Sequence, residues 1–339
     1  MIADHEHEPH QSAGIEARVA LFHECFTHLK DEIGRVFVGQ PTLVEHLLVC
    51  FFCQGHALLE GAPGLGKTLL VKTLSEAVGL TFSRVQCTPD LMPADVTGTN
   101  ILAERADGPR EFVFQRGPIF ANIVLADEIN RATPRTQSAF LEAMQERRVT
   151  VFGTSHVLDE PFCVFATENP IEMEGTYPLP EAQLDRFFFK LIVRVPGIDD
   201  LMEIMARTTG DHLSRVTPRF GADVVRSMLG LIKQAKIADE TTRLVLRLVR
   251  ATHPDVESAP PAVKKYVRYG ASPRAAQSII LAAKALGLLA GRYHASAADV
   301  RRVAAPALSH RLVLNFNAEM ERATADAVVE QVLASVGEP

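Results

Sequence analysis

The segment Gly61-Ala-Pro-Gly-Leu-Gly-Lys67-Thr68 constrains this chain more than any other, because three glycines ahead of a Lys-Thr pair form a loop suited to holding nucleotide phosphates. Ala57-Leu-Leu before it reads as a buried strand, and Leu69 to Val78 behind it reads as an amphipathic helix. Gly61, Gly64 and Gly66 allow backbone dihedrals that a side chain would forbid, so successive amides can turn toward one anion. The helix N-terminus adds unpaired N–H donors and the positive end of its dipole. Residues 61–69, with Ala62, Pro63, Leu65 and Leu69 filling the positions between and after the glycines, are the expected phosphate-binding segment. Lys67 is placed to reach the β- and γ-phosphates, and the Thr68 hydroxyl to ligate Mg²⁺.

A second motif narrows the chemistry. Ala121-Asn-Ile-Val-Leu-Ala-Asp127-Glu128 is an apolar strand that delivers two adjacent carboxylates at its C-terminal end, where open parallel sheets bind their ligands. Asp127 is expected to hold Mg²⁺ through its water shell, and Glu128 to orient and polarise an attacking water. An acidic pair after a strand also suits a helix N-cap. No Asn-Lys-x-Asp guanine-reading motif occurs, which argues against a GTPase and leaves ATP as the expected nucleotide.

Longer segments follow the same order as in one family. Val38-Gly39-Gln40, Pro93 to Thr99, Gly117-Pro-Ile-Phe120, Asp127-Glu-Ile-Asn-Arg-Ala132 with Thr136-Gln137, and Asn169 to Phe187 together resemble the MoxR family of AAA+ ATPases. The resemblance runs from about residue 34 to the end, with its motifs dense up to about residue 190. Thr133 stands where the family pattern has proline, and Glu168 where it has glutamine. Glu168 is expected to add a negative charge near the γ-phosphate.

The resemblance implies further roles. Val38 and Gly39 join the nucleotide-binding set. Asn169, at the end of the apolar strand Phe162 to Thr167, matches sensor 1, whose amide bonds the attacking water or the γ-phosphate; an Asx turn before Pro170 also suits Asn-Pro. Arg186 matches the arginine finger that enters a neighbouring subunit's site, although an ion pair with Asp185 or Glu181 is the intramolecular alternative. Arg274, in Ala271-Ser-Pro-Arg274, matches sensor 2, with Ser272 as N-cap and Pro273 at N1. A cation in a helix's first turn opposes the helix dipole, and a γ-phosphate would hold it there.

At 339 residues the chain exceeds the usual single-domain size. Three segments are expected: a tail and packing helix at 1–33, an α/β nucleotide-binding core with a parallel sheet between helices at 34–197, and an all-α lid at 198–339. Helices are expected at Ile15 to Glu32, Pro41 to Gln54, Ile198 to Arg207, Ala222 to Lys236, Glu240 to Thr252, Pro273 to Leu289, Ala297 to Leu308 and Ala323 to Val336. Gly108 to Gly117 and Arg148 to Leu158 read as turn-bearing inserts, the latter a hairpin turning at Gly153-Thr-Ser. Met1 to Ser12, with three histidines among acidic residues, reads as a disordered tail with weak adventitious metal binding as the alternative.

A net charge of −6 and the lack of a Lys/Arg cluster exclude nucleic acid as a primary partner. Five cysteines, an odd number, read as reduced cytosolic thiols. Cys50 and Cys53 have zinc-like spacing, but no second ligand pair follows, so they read as core. No apolar stretch spans a bilayer and no signal segment precedes the core, so a cytoplasmic protein without membrane insertion is expected. Together the residues imply an ATP hydrolase. The family resemblance adds a ring, expected to be hexameric, with a chaperone-like role on a partner carrying a von Willebrand A domain. A magnesium-chelatase-like motor subunit and a nucleotide-gated scaffold with little hydrolysis are the alternatives.

Overall fold

The computed structural model describes residues 9–103, 110–170, 175–209, 216–217 and 219–337, with side chains from residue 14. Residues 1–8 of the expected tail, 104–109 of the first insert and 171–174 of the long signature lie outside the described residues.

Five strands form the central sheet: β1 (Ala57–Glu60), β2 (Phe82–Gln86), β5 (Ile123–Asp127), β8 (Cys163–Glu168) and β9 (Phe189–Ile192). Their order is β2-β5-β8-β1-β9 and every pairing is parallel. These strands read as apolar runs because the sheet is covered on both faces. Period-2 alternation divides their side chains. Ala57, Leu59, Ile123, Leu125, Cys163 and Phe165 enter one core, whereas Leu58, Val124, Ala126, Val164 and Ala166 enter another.

The first core is packed by α1 (Pro9–Val36), α2 (Pro41–Phe52) and α3 (Lys67–Val78), and it continues into the C-terminal helices. The second lies beneath α4 (Pro93–Thr97) and α5 (Pro134–Glu146). α6 (Glu181–Leu184) leads into β9, and α7 (Ile198–Thr208) follows it. The remaining helices are α8 (Ala222–Gln234), α9 (Asp239–Ala251), α10 (Pro261–Tyr266), α11 (Pro273–Leu289), α12 (Ala297–Leu308), α13 (Phe316–Glu321) and α14 (Ala325–Ser335). Thus the α/β class with a helical C-terminal part holds.

The C-terminal part is not made of helices alone. Lys236–Ile237 pairs with His294–Ala295, and Val267–Tyr269 with Val313–Leu314. α10 and α13 are also additions to the expected set, each of six residues and so too short to display a helical period. α1 begins at Pro9, inside the stretch expected to be a tail. It is no separate appendage, since Phe22 and Phe26 pack their rings on Phe52 of α2 and His23 bonds the Leu289 carbonyl of α11. Each buried phenylalanine contributes roughly 1.5–3 kcal/mol relative to exposure. Buried Glu45 of α2 accepts bonds from Lys30 of α1 and Arg302 of α12, tying the three helices together.

Both inserts are hairpins. β3 (Gly98–Ala103) pairs with β4 (Glu111–Arg116), so the first hairpin starts ten residues before the stretch expected to hold it. β6 (Arg148–Val151) pairs with β7 (Thr154–Val157), turning at Phe152-Gly153, one residue earlier than expected. Both turn residues have positive φ, 48° and 80°, the conformation that matches the twist of a two-residue hairpin.

His56 enters β1 in a neutral tautomer that its neighbours select. Nδ1 accepts the Val164 amide at 2.9 Å, so Nε2 carries the proton and donates to the Met144 carbonyl at 3.1 Å. Burial, aided by Arg147, pushes its pKa down from 6.5 to about 4. The folded value lies below the unfolded one, so the stability it confers is complete above pH 6.5 and lost as pH falls toward 4, on the order of 3 kcal/mol. Melting temperature should therefore fall between pH 7 and 4.5. His56→Gln, which can accept and donate at the same two sites without titrating, should show a shallower fall; an unchanged slope would remove His56 from this role.

Candidate functional site

Parallel alignment brings the C-terminal ends of β1, β5 and β8 to one edge of the sheet. β1 delivers the glycine loop, β5 delivers Asp127 and Glu128, and β8, which lies between them, delivers Asn169. Gly64 and Gly66 adopt φ of +80° and +82°, and Gly66 caps α3, which begins at Lys67. Lys67 Nζ folds over the loop to the carbonyls of Gly61 and Ala62. Pro63, Gly64 and Leu69 are exposed, whereas Ala62, Leu65, Gly66, Lys67 and Thr68 are half-buried, so the cradle is open on one side.

The segment Val38-Gly39 flanks the loop. Phe37 lies where a side chain on Gly66 would touch it, at 3.2 Å. Gln40 accepts the Arg194 amide at 2.8 Å and donates to the Arg194 carbonyl at 3.1 Å, which pins the segment to the chain leaving β9. Gly39 has φ of +75°, and a Cβ there would meet the Asp200 carboxylate of α7 at 2.7 Å.

The Asp127 carboxylate is nearly buried and divided between partners. Oδ1 accepts from Thr167 Oγ1 at 2.6 Å. Oδ2 accepts from Thr68 Oγ1 at 3.2 Å and from Arg84 at 2.7 and 2.9 Å. Two oxygens about 3 Å apart match neighbouring corners of an octahedron with ~2.1 Å bonds, so Thr68 and Asp127 suit Mg²⁺. Arg84 shares that oxygen, and its half-exposed side chain can turn aside.

Glu128 has a left-handed backbone, φ 57°, which directs its carboxylate along the sheet edge. It accepts from Gln86 at 3.1 Å and from Arg131 at 3.3 Å, while its own amide donates to Thr167 Oγ1 at 2.7 Å. It precedes the short turn Ile129–Arg131 but makes no side-chain cap bond, so the capping alternative does not describe it. Asn169 is buried just past β8.

Glu168 departs from expectation. Alternation puts Thr167 on the face of Asp127 and α3, and Glu168 on the opposite face with Glu60 and Lys190, which form an ion pair at 2.6 Å. Burial raises the Glu168 pKa, Lys190 opposes the rise, and Glu60 adds to it. Its charge therefore belongs to that cluster and not to the phosphate-facing side.

Arg186 and Arg274 lie at the other edge. Phe188 donates its amide to the His56 carbonyl ahead of β1, so the Arg186 segment meets the beginning of the strand whose end carries the glycine loop. Four residues of strand separate the two edges by about 13 Å. Arg186 Nη1 donates to the Leu141 carbonyl at 3.1 Å, and its buried Nε has no partner among the described residues. Asp185 is taken by other arginines: Arg274 at 3.3 Å and Arg311 at 3.0 Å. Ser272 caps α11 as expected, accepting the Arg274 amide at 3.2 Å. Arg274 thus faces Asp185, at the sheet edge away from its own glycine loop. Arg147, Arg186, Arg274 and Arg311 line a cavity of about 310 Å³ with Asp185.

Sequence reasoning missed Arg84, Gln86 and Thr167. Only the adjacency of β2 and β5 sets Gln86 opposite Asp127; alternation along a known β8 would have singled out Thr167. Thr167→Val keeps shape but leaves the Asp127 oxygen and the Glu128 amide without their shared hydroxyl. It should lower stability by about 1–3 kcal/mol in denaturant titration and reduce phosphate release more than nucleotide affinity. Unchanged turnover would show that Thr167 does not set the two carboxylates.

The chain is similar to known proteins over nearly its whole length. A family model described as ATPase family associated with various cellular activities matches residues 56–189, and an AAA lid domain model matches residues 261–332. Chaperone MoxR1 of Mycobacterium tuberculosis is 42% identical over 99% of this chain and 87% of its own length. Protein MoxR of Paracoccus denitrificans is 29% identical over 96% of this chain and 99% of its own. The crystal structure of a candidate ATPase from Cytophaga hutchinsonii superposes with a TM-score of 0.89, at 38% identity, covering 96% of this chain and 98% of that one. Identity of 42% over nearly the whole chain with Chaperone MoxR1, with an ATPase model and a lid model matching in that order, makes the chain a member of the MoxR family of AAA+ ATPases.

Proposed function

We propose that this chain hydrolyses Mg²⁺-bound ATP in sites shared between neighbouring copies of a cytoplasmic ring, expected to be hexameric, and uses the cycle to remodel or activate a protein partner carrying a von Willebrand A domain. Residues 61–69 with Val38 and Gly39 hold the nucleotide, and Thr68 and Asp127 hold the metal, which neutralises phosphate charge. Glu128 takes the role of polarising water, with its carboxylate held by Gln86 and Arg131. Asn169 aligns that water. Residues 34–197 act as the core and 198–339 as the lid.

The observation that carries the shared-site reading is the position of Arg186 and Arg274, at the sheet edge opposite the chain's own glycine loop. A guanidinium there cannot stabilise charge developing on its own bound phosphate, but it can meet the loop edge of a neighbour in a head-to-tail ring.

Two variants test the reading. Glu128→Gln keeps size and hydrogen bonding while losing the base, so calorimetry should find ATP binding retained and phosphate release reduced by roughly 10²–10⁴; wild-type release would remove Glu128 from catalysis. Arg186→Ala alone should bind ATP and hydrolyse it slowly, since such fingers contribute about 10³–10⁵ in rate. Mixed with Lys67→Ala, which lacks bound ATP but keeps its arginines, it should regain part of the activity. No recovery in hetero-oligomers verified by native mass spectrometry would refute the shared site.

A further inference from the structure

The Arg186 segment is held by a buried guanidinium from the C-terminal part. Arg311 follows α12, and its side chain is only 2% exposed. Nε donates to Asp185 Oδ1 at 3.0 Å. Nη2 donates to the carbonyls of Asp185 at 3.2 Å and Phe187 at 2.7 Å, and Nη1 to that of Phe188 at 3.4 Å. Adjacent His310 donates from Nε2 to the Phe187 carbonyl at 2.9 Å. The backbone on both sides of Arg186 is therefore gripped from one turn of the C-terminal part.

Asp185 completes the grip. Its Oδ1 also accepts from Ser272 Oγ at 2.7 Å, at the cap of α11, and its Oδ2 accepts from Arg274 at 3.3 Å. One carboxylate thus joins the Arg186 backbone, the start of α11, the Arg274 guanidinium and Arg311. Among the described residues lining this cavity it is the only acid beside four arginines, two of which, Arg274 and Arg311, it pairs with. Burying an arginine and an aspartate costs desolvation that apolar residues of the same size would not incur, so stability alone does not account for the pair. Holding two cations in one geometry does account for it.

We propose that Asp185, anchored by Arg311, is a positioning residue that sets Arg186 and Arg274 as one unit for the neighbour's nucleotide site and couples both to the placement of the C-terminal helices. This rests on the shared-site reading above. Asp185 touches no nucleotide in this scheme. It acts through the two arginines, so its loss damages the site a subunit donates and spares the loop edge it keeps.

That asymmetry gives the test. Asp185→Asn should leave ATP affinity unchanged and lower kcat roughly tenfold to a hundredfold, as misplacement of catalytic groups does. Mixed with Lys67→Ala, it should recover activity, because the Lys67→Ala subunit supplies an intact arginine edge. Mixed with Arg186→Ala, it should not, because both subunits are defective at the same edge. Asp185→Glu, which keeps the charge one methylene further out, should give the same two mixing results with a smaller loss and stands in if Asp185→Asn does not fold. Recovery with Arg186→Ala, or full activity of the folded variant alone, would overturn the proposal. If Arg186→Ala itself gained nothing from Lys67→Ala in verified hetero-oligomers, the shared-site reading would fail instead, so the two failures are distinguishable.

Discussion

All five strands of the central sheet point the same way, and the rest of the molecule is arranged by that constraint. Parallel strands need crossovers, which cover both faces and leave the strand ends as the places where polar groups can meet solvent. The glycine loop, Asp127, Glu128 and Asn169 leave neighbouring strands at one edge, while Asp185 and Arg186 enter at the other. Asp127, Glu128 and the glycine-loop amides are thereby separated from the cluster of Arg147, Arg186, Arg274 and Arg311 within one chain. A surface divided in this way is suited to head-to-tail association, in which unlike edges meet.

Three carboxylates that are buried or partly buried each have several partners. Asp127 has Thr68, Arg84 and Thr167, while Glu45 has Lys30 and Arg302. Asp185 has Ser272, Arg274 and Arg311. A buried carboxylate with one partner removed retains its desolvation cost, which makes such centres sensitive to single substitutions. Two of the three join distant parts of the chain: Glu45 links the N-terminal helices to α12, and Asp185 links the sheet edge to α11 and the turn after α12. No helix among the described residues is long and apolar enough to cross a membrane, and α7 leaves Ile198, Met202 and Met205 exposed.

The two hairpins are joined to each other and carry exposed apolar side chains. Phe114 of β4 stacks on His156 of β7 at 3.9 Å, and Phe120 packs against both, so the inserts form one projection. Phe112 and Phe152 stand more than 70% exposed on it. Phe152 sits in the turn between β6 and β7, and Phe112 lies on the same face of β4 as Phe114, two residues nearer the start of that strand.

The glycine loop and the adjacent carboxylates were legible because each chemical role is written in a few contiguous residues whose local structure is set locally. Gly64 and Gly66 permit the loop, Lys67 and Thr68 open the helix, and Asp127 and Glu128 end an apolar strand. The long helices from Pro273 and Ala297 were legible in the same way, from caps and a period repeated over several turns. Strand order was not, because adjacency in a sheet depends on how helices pack across it. Hence Arg84 and Gln86 beside the carboxylates, and the face taken by Glu168, were decided by tertiary structure. So was the position of Arg274: its N-cap could be read from Ser272-Pro273, but only the docking of α11 against the segment before β9 put its guanidinium on Asp185. Local covalent order determines which groups exist and how each backbone turn is shaped, whereas contacts between segments 87 or 126 residues apart, such as Ser272 and Arg311 to Asp185, arise only when the whole core closes.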